Sequence, residues 1–371
     1  MPPRNILLKP ASGNCNLRCT YCFYHDEMQA RRTASYGNMS LETLEQVISK
    51  SMAAAEGLCT FGFQGGEPTL AGLEFFRHVV ELQNKYSRPG LKVSNALQTN
   101  GTLLNEAWAE FLKNHHFLVG LSLDGDASLH DLYRRDASGQ GTFKTVENAA
   151  ALLRRYDVDF NILTVVTAQT AKHVARIYRY FKRKGFDYQQ YIPCLDPLEV
   201  SRGSNKYSLT PELYGRFLIA LFDLWYEDWC GGRMVYIRYF ENLLQICLGQ
   251  APESCGMLGY CGIQYAVEAD GSVYPCDFYM LDRYCLGNFC SNTMEEIDEK
   301  RREIRFVENS LQHAEACRRC TWQSLCRGGC RRDRMLVDGT LGKNYLCEAY
   351  QSFFAHATPK LVHMARAISA I

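Results

Sequence analysis

Short apolar runs alternate with longer amphipathic stretches between Ile6 and about Leu195. The apolar runs have the length of buried strands, and the amphipathic stretches have the spacing of helices. Strands are predicted at residues 61–64, 93–98, 118–123, 160–166 and 188–192. Helices are predicted at residues 40–55, 73–85, 106–114, 143–156 and 173–184. This order predicts repeated β-α units that build a parallel sheet.

The pattern changes near residue 232. Pro211 is suited to the first turn of a helix, and that helix is predicted to run through Trp229 and to end at the glycine pair 231–232. Beyond this break long periodic segments are few and cysteines are dense, so a small apolar core would need metal to support it. A chain of 371 residues exceeds the usual size of one core. Two domains are predicted, at residues 1–232 and 233–371.

Composition narrows the classes of function. The net charge is +1, so the sequence shows no electrostatic footprint for nucleic acid or for an anionic membrane surface. The first residues lack the apolar segment of a signal peptide, and acidic residues interrupt the apolar stretch at 217–229. A cytoplasmic protein is therefore expected. In a reducing compartment, 17 cysteines favour metal ligation over disulfide bonds.

Three cysteines near the N-terminus are the strongest chemical signal. Cys15, Cys19 and Cys22 follow a short apolar run and are interleaved with aromatic residues. Three thiolates bind three irons of a four-iron cluster and leave the fourth iron open to a substrate or cosubstrate. A Cys-x-x-Cys pair alone more often belongs to a zinc or redox site. The third cysteine, with no His-x-x-x-His partner following it, favours iron.

This loop, with an aromatic residue just before its last cysteine, resembles the signature of radical S-adenosylmethionine enzymes. In that family the amino and carboxylate groups of the cosubstrate fill the open iron site, and reductive cleavage yields a 5′-deoxyadenosyl radical. The Gly-Gly-Glu segment at 65–67, which alone would suit an ordinary turn, resembles the family motif that holds the methionine amino group. The resemblance implies cosubstrate contacts at Tyr21, Gly66, Glu67, Ser122, Arg134 and Leu195.

A second group of cysteines lies between Cys255 and Cys347. Eight of their thiolates are enough for two fully ligated four-iron clusters, although the spacings also suit a pair of zinc sites. The segment resembles a SPASM domain, the accessory module of radical enzymes that modify peptides and proteins. The resemblance assigns the nearer cluster to Cys255, Cys261, Cys276 and Cys330, and the distal one to Cys317, Cys320, Cys326 and Cys347. The unassigned cysteines, expected to pack as small apolar residues, are Cys59, Cys194, Cys230, Cys247, Cys285 and Cys290.

Over nearly its whole length the chain resembles anaerobic sulfatase-maturating enzymes, through segments such as residues 63–70, 97–104, 194–197 and 272–278. The resemblance implies an α/β fold, a partial (β/α)6 radical S-adenosylmethionine barrel followed by a SPASM domain and a C-terminal helix, with three 4Fe-4S clusters in all. It also implies oxidation of a cysteine, or a serine, of a sulfatase precursor to Cα-formylglycine. The expected partners are that precursor, with a Cys-x-Pro-x-Arg or serine-type motif, and a low-potential electron donor such as flavodoxin or ferredoxin.

The resemblance also implies roles for individual residues in this reaction. The deoxyadenosyl radical removes a hydrogen atom from the Cβ of the target residue, and Asp277 takes the thiol or hydroxyl proton as the base. The nearer SPASM cluster accepts the remaining electron. Deprotonation of the heteroatom makes the carbon radical easier to oxidise, which a carboxylate within hydrogen-bond reach can achieve. Peptide contacts are expected at Tyr24, Gln64, Arg238 and Tyr239.

Two other functions fit many of the same residues. Another SPASM-type enzyme, one that forms a thioether crosslink or an epimerised residue in a peptide, would use the same radical and the same clusters. A non-catalytic zinc-binding interaction protein would explain the cysteine-rich segment. It leaves the three-cysteine loop and the Gly-Gly-Glu segment without an explanation.

Overall fold

The computed structural model describes residues 3–198, 200–337 and 340–369. They form two compact units, each assembled from separate stretches of the chain. The first unit draws on Met1–Leu123, His130–Asn161 and Ile263–Arg305, and the second on Asp124–Leu129, Ile162–Gly262 and Phe306–Ile371. Residues on both sides of position 232 thus contribute to each unit, and the domain boundary at that position stays a prediction.

The predicted alternation of strands and helices is confirmed, with ends that differ by no more than three residues. The strands are β1 (Arg4–Leu8), β2 (Leu58–Phe63), β3 (Lys92–Thr99), β4 (Leu118–Ser122), β5 (Phe160–Val166), β6 (Tyr188–Pro193), β7 (Tyr236–Ile237), β8 (Tyr265–Val267), β9 (Ser272–Tyr274), β10 (Gly287–Asn288), β11 (Arg334–Val337) and β12 (Thr340–Asn344). The helices are α1 (Phe23–Gln29), α2 (Leu41–Ala53), α3 (Leu73–Lys85), α4 (Glu106–Asn114), α5 (Ala127–Tyr133), α6 (Phe143–Arg155), α7 (Ala168–Lys172), α8 (Val174–Lys184), α9 (Pro211–Cys230), α10 (Arg238–Cys247), α11 (Met294–Glu303), α12 (Phe306–Ser310), α13 (Glu315–Arg318), α14 (Gln323–Cys326) and α15 (Cys347–Ser369).

The first unit is built on a mostly parallel sheet with the order β10-β9-β8-β1-β2-β3-β4. β1 lies between β2 and β8 and is parallel to both. The parallel order continues through β3 and β4, whereas β8, β9 and β10 pair in antiparallel fashion. Because the carboxyl ends of parallel strands meet at one edge of a sheet, the segments that follow β1, β2, β3 and β4 are brought close together.

Aromatic side chains fill much of the core of this unit. Phe63 of β2 is buried, and its ring lies 5.1 Å from that of Phe76 on α3 and 6.1 Å from that of Phe117. Burying a ring of this size stabilises the folded chain by about 1.5–3 kcal/mol. β2 is thereby fixed, and the segment after Phe63 starts from a rigid strand end.

The second unit combines β5, β6 and β7, which pair in parallel, with a core of long helices. The predicted start of α9 is confirmed, since Pro211 occupies its first turn and the Thr210 side chain accepts a hydrogen bond from the backbone N–H of Leu213. Phe222 of α9 packs edge-on against Phe353 of α15, with ring centroids 5.7 Å apart. Among the helices that the structure describes, none is long and apolar enough to cross a membrane.

Candidate active site

The three-cysteine loop connects β1 to α1. A backbone hydrogen bond to a later segment helps to fix the path of this loop, because the N–H of Arg18 donates to the carbonyl of Arg135 at 2.7 Å. The sulfur of Cys15 accepts a hydrogen bond from the backbone N–H of Leu17 at 3.3 Å, and Cys22 immediately precedes α1. Burial raises the pKa of the Cys15 thiol to about 11. A bound metal would therefore be needed to favour its thiolate at neutral pH.

The Gly-Gly-Glu segment that follows β2 packs directly against this loop. Gly65 has a φ of +118°, and a Cβ there would lie 2.8 Å from the Cγ of Lys9. A Cβ on Gly66 would lie 1.9 Å from the carbonyl oxygen of Asn14. The backbone N–H of Glu67 donates to that same carbonyl at 2.7 Å. Both glycines are thus required by the close approach of neighbouring chain segments.

Glu67 connects the ends of β2 and β3. Its Oε1 accepts hydrogen bonds from Thr69 Oγ1 at 2.6 Å and from Thr99 Oγ1 at 2.8 Å. Its Oε2 accepts from the backbone N–H of Asn100 at 2.7 Å. Burial raises the pKa of Glu67, and these hydrogen bonds oppose that rise. A carboxylate oxygen can accept more than one hydrogen bond, so Oε2 keeps capacity for an ammonium group.

Two of the predicted cosubstrate contacts, Tyr21 and Arg134, meet beside the loop. The Arg134 guanidinium carbon lies 5.5 Å from the centroid of the Tyr21 ring, and both side chains are buried. Ser122 is the last residue of β4 and is also buried. Leu195 follows β6 in the second unit. The structure therefore brings Tyr21 and Arg134 together, and the cosubstrate contacts themselves stay predictions.

Asp277 lies in a short 3₁₀ turn, Asp277–Tyr279, directly after Cys276. Its Oδ2 accepts hydrogen bonds from Tyr24 Oη and from Gln64 Nε2, each at 2.7 Å. Gln64 Nε2 also donates to Tyr24 Oη at 2.9 Å. Burial and the negative charge of Asp277 raise the pKa of Tyr24 well above its ordinary value, so the phenol stays protonated at neutral pH. The structure thus joins the predicted base to two predicted peptide contacts.

Lys9 and Glu27 belong to the same network but are not among the residues predicted from the sequence. The Lys9 ammonium nitrogen lies 3.3 Å from Asp277 Oδ1 and 3.7 Å from Glu27 Oε2. It also lies 4.2 Å from the centroid of the Tyr24 ring. Two signals were available in the sequence. Lys9 directly follows an apolar strand, and Glu27 stands three residues after Tyr24, on the same face of α1.

Four cysteines of the second unit line one cavity of about 60 Å³. They are the four that the SPASM resemblance assigns to the distal cluster, namely Cys317, Cys320, Cys326 and Cys347. Burial, with the charges of the other three thiols, raises the pKa of Cys326 to about 11. The structure thus groups thiols that come from α13, α14, α15 and the segment between α13 and α14.

The cysteines predicted for the nearer cluster are divided between the two units. Cys255, Cys261 and Cys330 belong to the second unit, and Cys276 belongs to the first. Burial raises the pKa of the Cys330 thiol, and the charges of Cys255 and Cys261 add to that rise. These three thiols are therefore close enough to interact electrostatically.

A buried arginine, Arg334, ties together the cysteine-bearing loops of the second unit. Its guanidinium donates to the backbone carbonyls of Ser310 at 2.6 Å, Gly259 at 3.0 Å and Gly328 at 3.2 Å. Burial lowers the pKa of Arg334, and neighbouring thiols, with Cys261 first, oppose that change. A guanidinium has five donors in a rigid fork, which suits one side chain to several carbonyls. Its positive charge suits an anionic cluster nearby.

The two remaining predicted peptide contacts lie at the start of α10 in the second unit. Arg238 Nη1 donates to Gln190 Oε1 at 3.2 Å. The Tyr239 ring packs 5.9 Å from Phe240 and 6.0 Å from Phe353, measured between centroids. Tyr239 thus helps to form the aromatic core of this unit, while Arg238 is half-buried beside a polar partner. Their contact with a peptide stays a prediction.

Comparison with known proteins identifies the family of this chain. The model of the radical SAM superfamily matches residues 10–181, and that of the iron-sulfur cluster-binding SPASM domain matches residues 259–321. The chain is 52% identical over 369 residues to a cysteine-type anaerobic sulfatase-maturating enzyme of Clostridium perfringens (strain 13 / Type A), covering 99% of this chain and 100% of that one. This chain belongs to the anaerobic sulfatase-maturating enzyme family.

Solved structures and a more distant relative agree with this assignment. This chain is 51% identical in sequence to the solved structure of native anSMEcpe with bound AdoMet and Cp18Cys peptide, and the two superpose with a TM-score of 0.94. The match covers 99% of this chain and 100% of that one. A serine-type enzyme of Bacteroides thetaiotaomicron is 32% identical over 380 residues, covering 98% of this chain and 91% of that one. The structure of Streptococcus suis SuiB bound to precursor peptide SuiA matches with a TM-score of 0.63 at 14% identity. The match covers 93% of this chain and 76% of that one, and it supports the fold alone.

Membership of the sulfatase-maturating family confirms several predictions. The chain is a radical S-adenosylmethionine enzyme with a SPASM domain, and its predicted fold class is confirmed. S-adenosylmethionine and 4Fe-4S clusters are its cofactors. The zinc-binding interaction protein is thereby excluded. The individual ligands and contacts remain proposals.

The residues of this member of the family fit those cofactors. Three thiols stand on one ordered loop, and four others line one cavity. Glu67 Oε2 accepts a hydrogen bond from the backbone N–H of Asn100 and can accept a second one from the amino group of the cosubstrate. Within the same described residues, no group of three or more His, Cys, Asp or Glu could hold a single metal ion.

Replacing Cys326 with alanine tests the distal set. The variant should lose about four irons per chain, because three thiolates in a set built for closed ligation no longer retain the cluster. Peptide-independent 5′-deoxyadenosine formation should persist, since Cys15, Cys19 and Cys22 are intact. Iron and sulfide analysis of anaerobically purified protein measures this loss. Cys247→Ala, at an unassigned half-buried cysteine, serves as the control. Unchanged iron in Cys326→Ala would remove Cys326 from the ligands.

Proposed function

We propose that this enzyme oxidises a cysteine of a sulfatase precursor to Cα-formylglycine. The observation that carries the proposal is the meeting of Asp277, Tyr24 and Gln64 in the unit that also contains the three-cysteine loop. The proposed base and the proposed site of radical generation therefore belong to one compact unit of the chain. The full-length identity of 52% to a cysteine-type enzyme, against 32% to a serine-type one, supports cysteine as the preferred target.

The ligands proposed for the three clusters follow the sets given by the sequence. Cys15, Cys19 and Cys22 hold the cluster that binds S-adenosylmethionine. Gly66 and Glu67 accept hydrogen bonds from its amino group, Arg134 pairs with its carboxylate, and Tyr21, Ser122 and Leu195 complete its pocket. The nearer SPASM cluster is held by Cys255, Cys261, Cys276 and Cys330, and the distal one by Cys317, Cys320, Cys326 and Cys347.

The reaction removes one hydrogen atom, one proton and one electron from the target side chain. When bound, the clusters and S-adenosylmethionine supply the 5′-deoxyadenosyl radical that takes the hydrogen atom and an acceptor for the electron. Asp277 takes the thiol proton. Oδ1 of Asp277 is enclosed, so Oδ2 is the oxygen that receives this proton. The CH2SH group becomes a thioaldehyde, and water converts that to the aldehyde with release of hydrogen sulfide.

Tyr24 and Gln64 hold Oδ2 in position until the peptide arrives. Both are donors, and both can turn to the peptide when the substrate thiol approaches Oδ2. Arg238 and Tyr239 are proposed as further contacts with the peptide. The proposed partners are the sulfatase precursor and a low-potential electron donor, flavodoxin or ferredoxin, in the cytoplasm.

The test compares two peptides that differ at one atom. Reconstituted enzyme is incubated anaerobically with S-adenosylmethionine, a strong reductant and a peptide carrying Cys-x-Pro-x-Arg or its serine counterpart. Mass spectrometry should show conversion of CH2SH to CHO, with 5′-deoxyadenosine formed alongside. We expect the cysteine peptide to react about tenfold faster, because its C–H and S–H bonds are weaker and its thiol is more acidic. A crosslinked or epimerised product would instead establish a different peptide modification.

A further inference from the structure

Lys9 is a buried charge for which the proposed reaction has no role. Its side chain is 3% exposed, and those of Asp277 and Glu27 are 10% and 5% exposed. An isolated ammonium is costly to bury, so a lysine in this position implies compensation by neighbours. The two carboxylates, at 3.3 Å and 3.7 Å from its nitrogen, provide that compensation.

The backbone around Lys9 is rigid. Its N–H donates to the carbonyl of Val267 at 2.9 Å, so the residue is held at the end of β1, between β2 and β8. The stem of its side chain passes Gly65, where a Cβ would come within 2.8 Å of Lys9 Cγ. Because Gly65 has no side chain, there is space beside it for the Lys9 side chain to extend to Asp277.

The two oxygens of Asp277 are held in different ways. Oδ2 accepts hydrogen bonds from Tyr24 and Gln64. Oδ1 is enclosed, accepts no hydrogen bond from the described residues and faces the Lys9 ammonium. A carboxyl group turns easily about its last torsion, which has a broad energy profile. Attraction at Oδ1 and hydrogen bonds at Oδ2 together fix its plane.

We propose that Lys9 is a positioning residue of the reaction, which holds the Asp277 carboxylate so that Oδ2 is presented to the substrate thiol. Glu27 orients the ammonium and offsets part of its charge. This inference rests on the proposed function. It adds to that function a residue that orients the base and that lies far from Asp277 in the sequence.

Lys9→Met tests the proposal, because methionine keeps much of the volume of the side chain and removes its charge. Cosubstrate cleavage in the presence of peptide should continue, and the KM for the peptide should change little. The ratio of formylglycine to 5′-deoxyadenosine should fall by about tenfold to a hundredfold, since a misplaced reacting group costs about that much. With a peptide deuterated at the target Cβ, deuterium should still appear in 5′-deoxyadenosine, which shows that hydrogen abstraction is intact.

Two further variants separate positioning from folding. Lys9→Met combined with Glu27→Gln removes one positive and one negative charge, so the net charge of the group stays as in the wild type. This double variant should retain thermal stability while the product ratio stays low. Lys50→Met is the matched control, because it makes the same change at a different lysine. The Lys50 ammonium donates hydrogen bonds to the carbonyls of Phe289 and Asn292 and not to Asp277. It should keep the wild-type ratio. A wild-type ratio in Lys9→Met, or its recovery in the double variant, would overturn the proposal. Formylglycine from the unaltered enzyme in the same assay tests the proposed function separately.

Discussion

Asp277→Asn is expected to lose formylglycine formation while it still cleaves S-adenosylmethionine. The amide retains the size of the carboxylate and can stay in contact with Tyr24 and Gln64, but it cannot take the proton of the substrate thiol. A positioned base contributes about a hundredfold to ten-thousandfold to such a reaction. The peptide product should therefore fall by at least about a hundredfold, as measured by anaerobic mass spectrometry of the peptide and of 5′-deoxyadenosine in one incubation.

Asp282→Asn provides the matched control for this experiment. Asp282 opens the next 3₁₀ turn of the same segment, and its exposed side chain accepts a hydrogen bond from the backbone N–H of Arg32. The same chemical change at this position should leave both products at their wild-type amounts. Normal formylglycine from Asp277→Asn would show that another group takes the proton.

Gly66→Ala should remove cosubstrate cleavage itself. The added Cβ would lie 1.9 Å from the Asn14 carbonyl oxygen, so the backbone that precedes Cys15 has to move. A displacement of about 1 Å at a reacting centre costs about a hundredfold in rate. We expect a loss of that size in 5′-deoxyadenosine formation, with or without peptide, and a lower iron content in the purified protein.

Gly62→Ala is the control for this substitution. Gly62 lies in β2, four residues before Gly66, and a Cβ there meets its nearest atoms at 3.8 Å and 3.9 Å. That variant should retain both iron and cosubstrate cleavage. If Gly66→Ala behaved in the same way, the close approach at Asn14 would not be required for the radical site.

The sequence predicted the strands and the longer helices between residues 40 and 230 because their signals are local, and it missed the short helices α5 and α7. Apolar runs, helical spacing and caps act within a few residues, as for α9, where Pro211 and the Thr210 cap mark the start. The three-cysteine loop is also local. Its predicted role rests on the spacing of three cysteines and on the family resemblance that this spacing carries, so no tertiary information is needed.

The network around Asp277 was predicted only in part because it joins distant segments. Tyr24 and Asp277 are 253 positions apart, and no periodicity links them. The resemblance supplied Tyr24, Gln64 and Asp277, whereas Lys9 and Glu27 required the packing of β1 against β8. A lysine at a strand end usually extends into solvent, so the position of Lys9 after an apolar strand does not by itself predict burial between two carboxylates.

The pairing of β1 with β8 could not be predicted from the sequence either. Residues 265–267 form a strand of three residues in a cysteine-rich segment, too short to show a hydrophobic period. Their place beside β1 brings Cys276 and Asp277 into the first unit, while the other predicted SPASM ligands belong to the second. Composition, from which the boundary at residue 232 was predicted, carries no signal of this pairing.

The direct passage from Cys22 into α1 has a consequence for how this sequence can vary. Tyr24 and Glu27 stand on one face of a helix that begins immediately after the last cysteine of the loop. Each residue added to or removed from that junction would rotate them by about 100° about the helix axis. The length of the junction is therefore fixed, and related sequences should align across it without gaps.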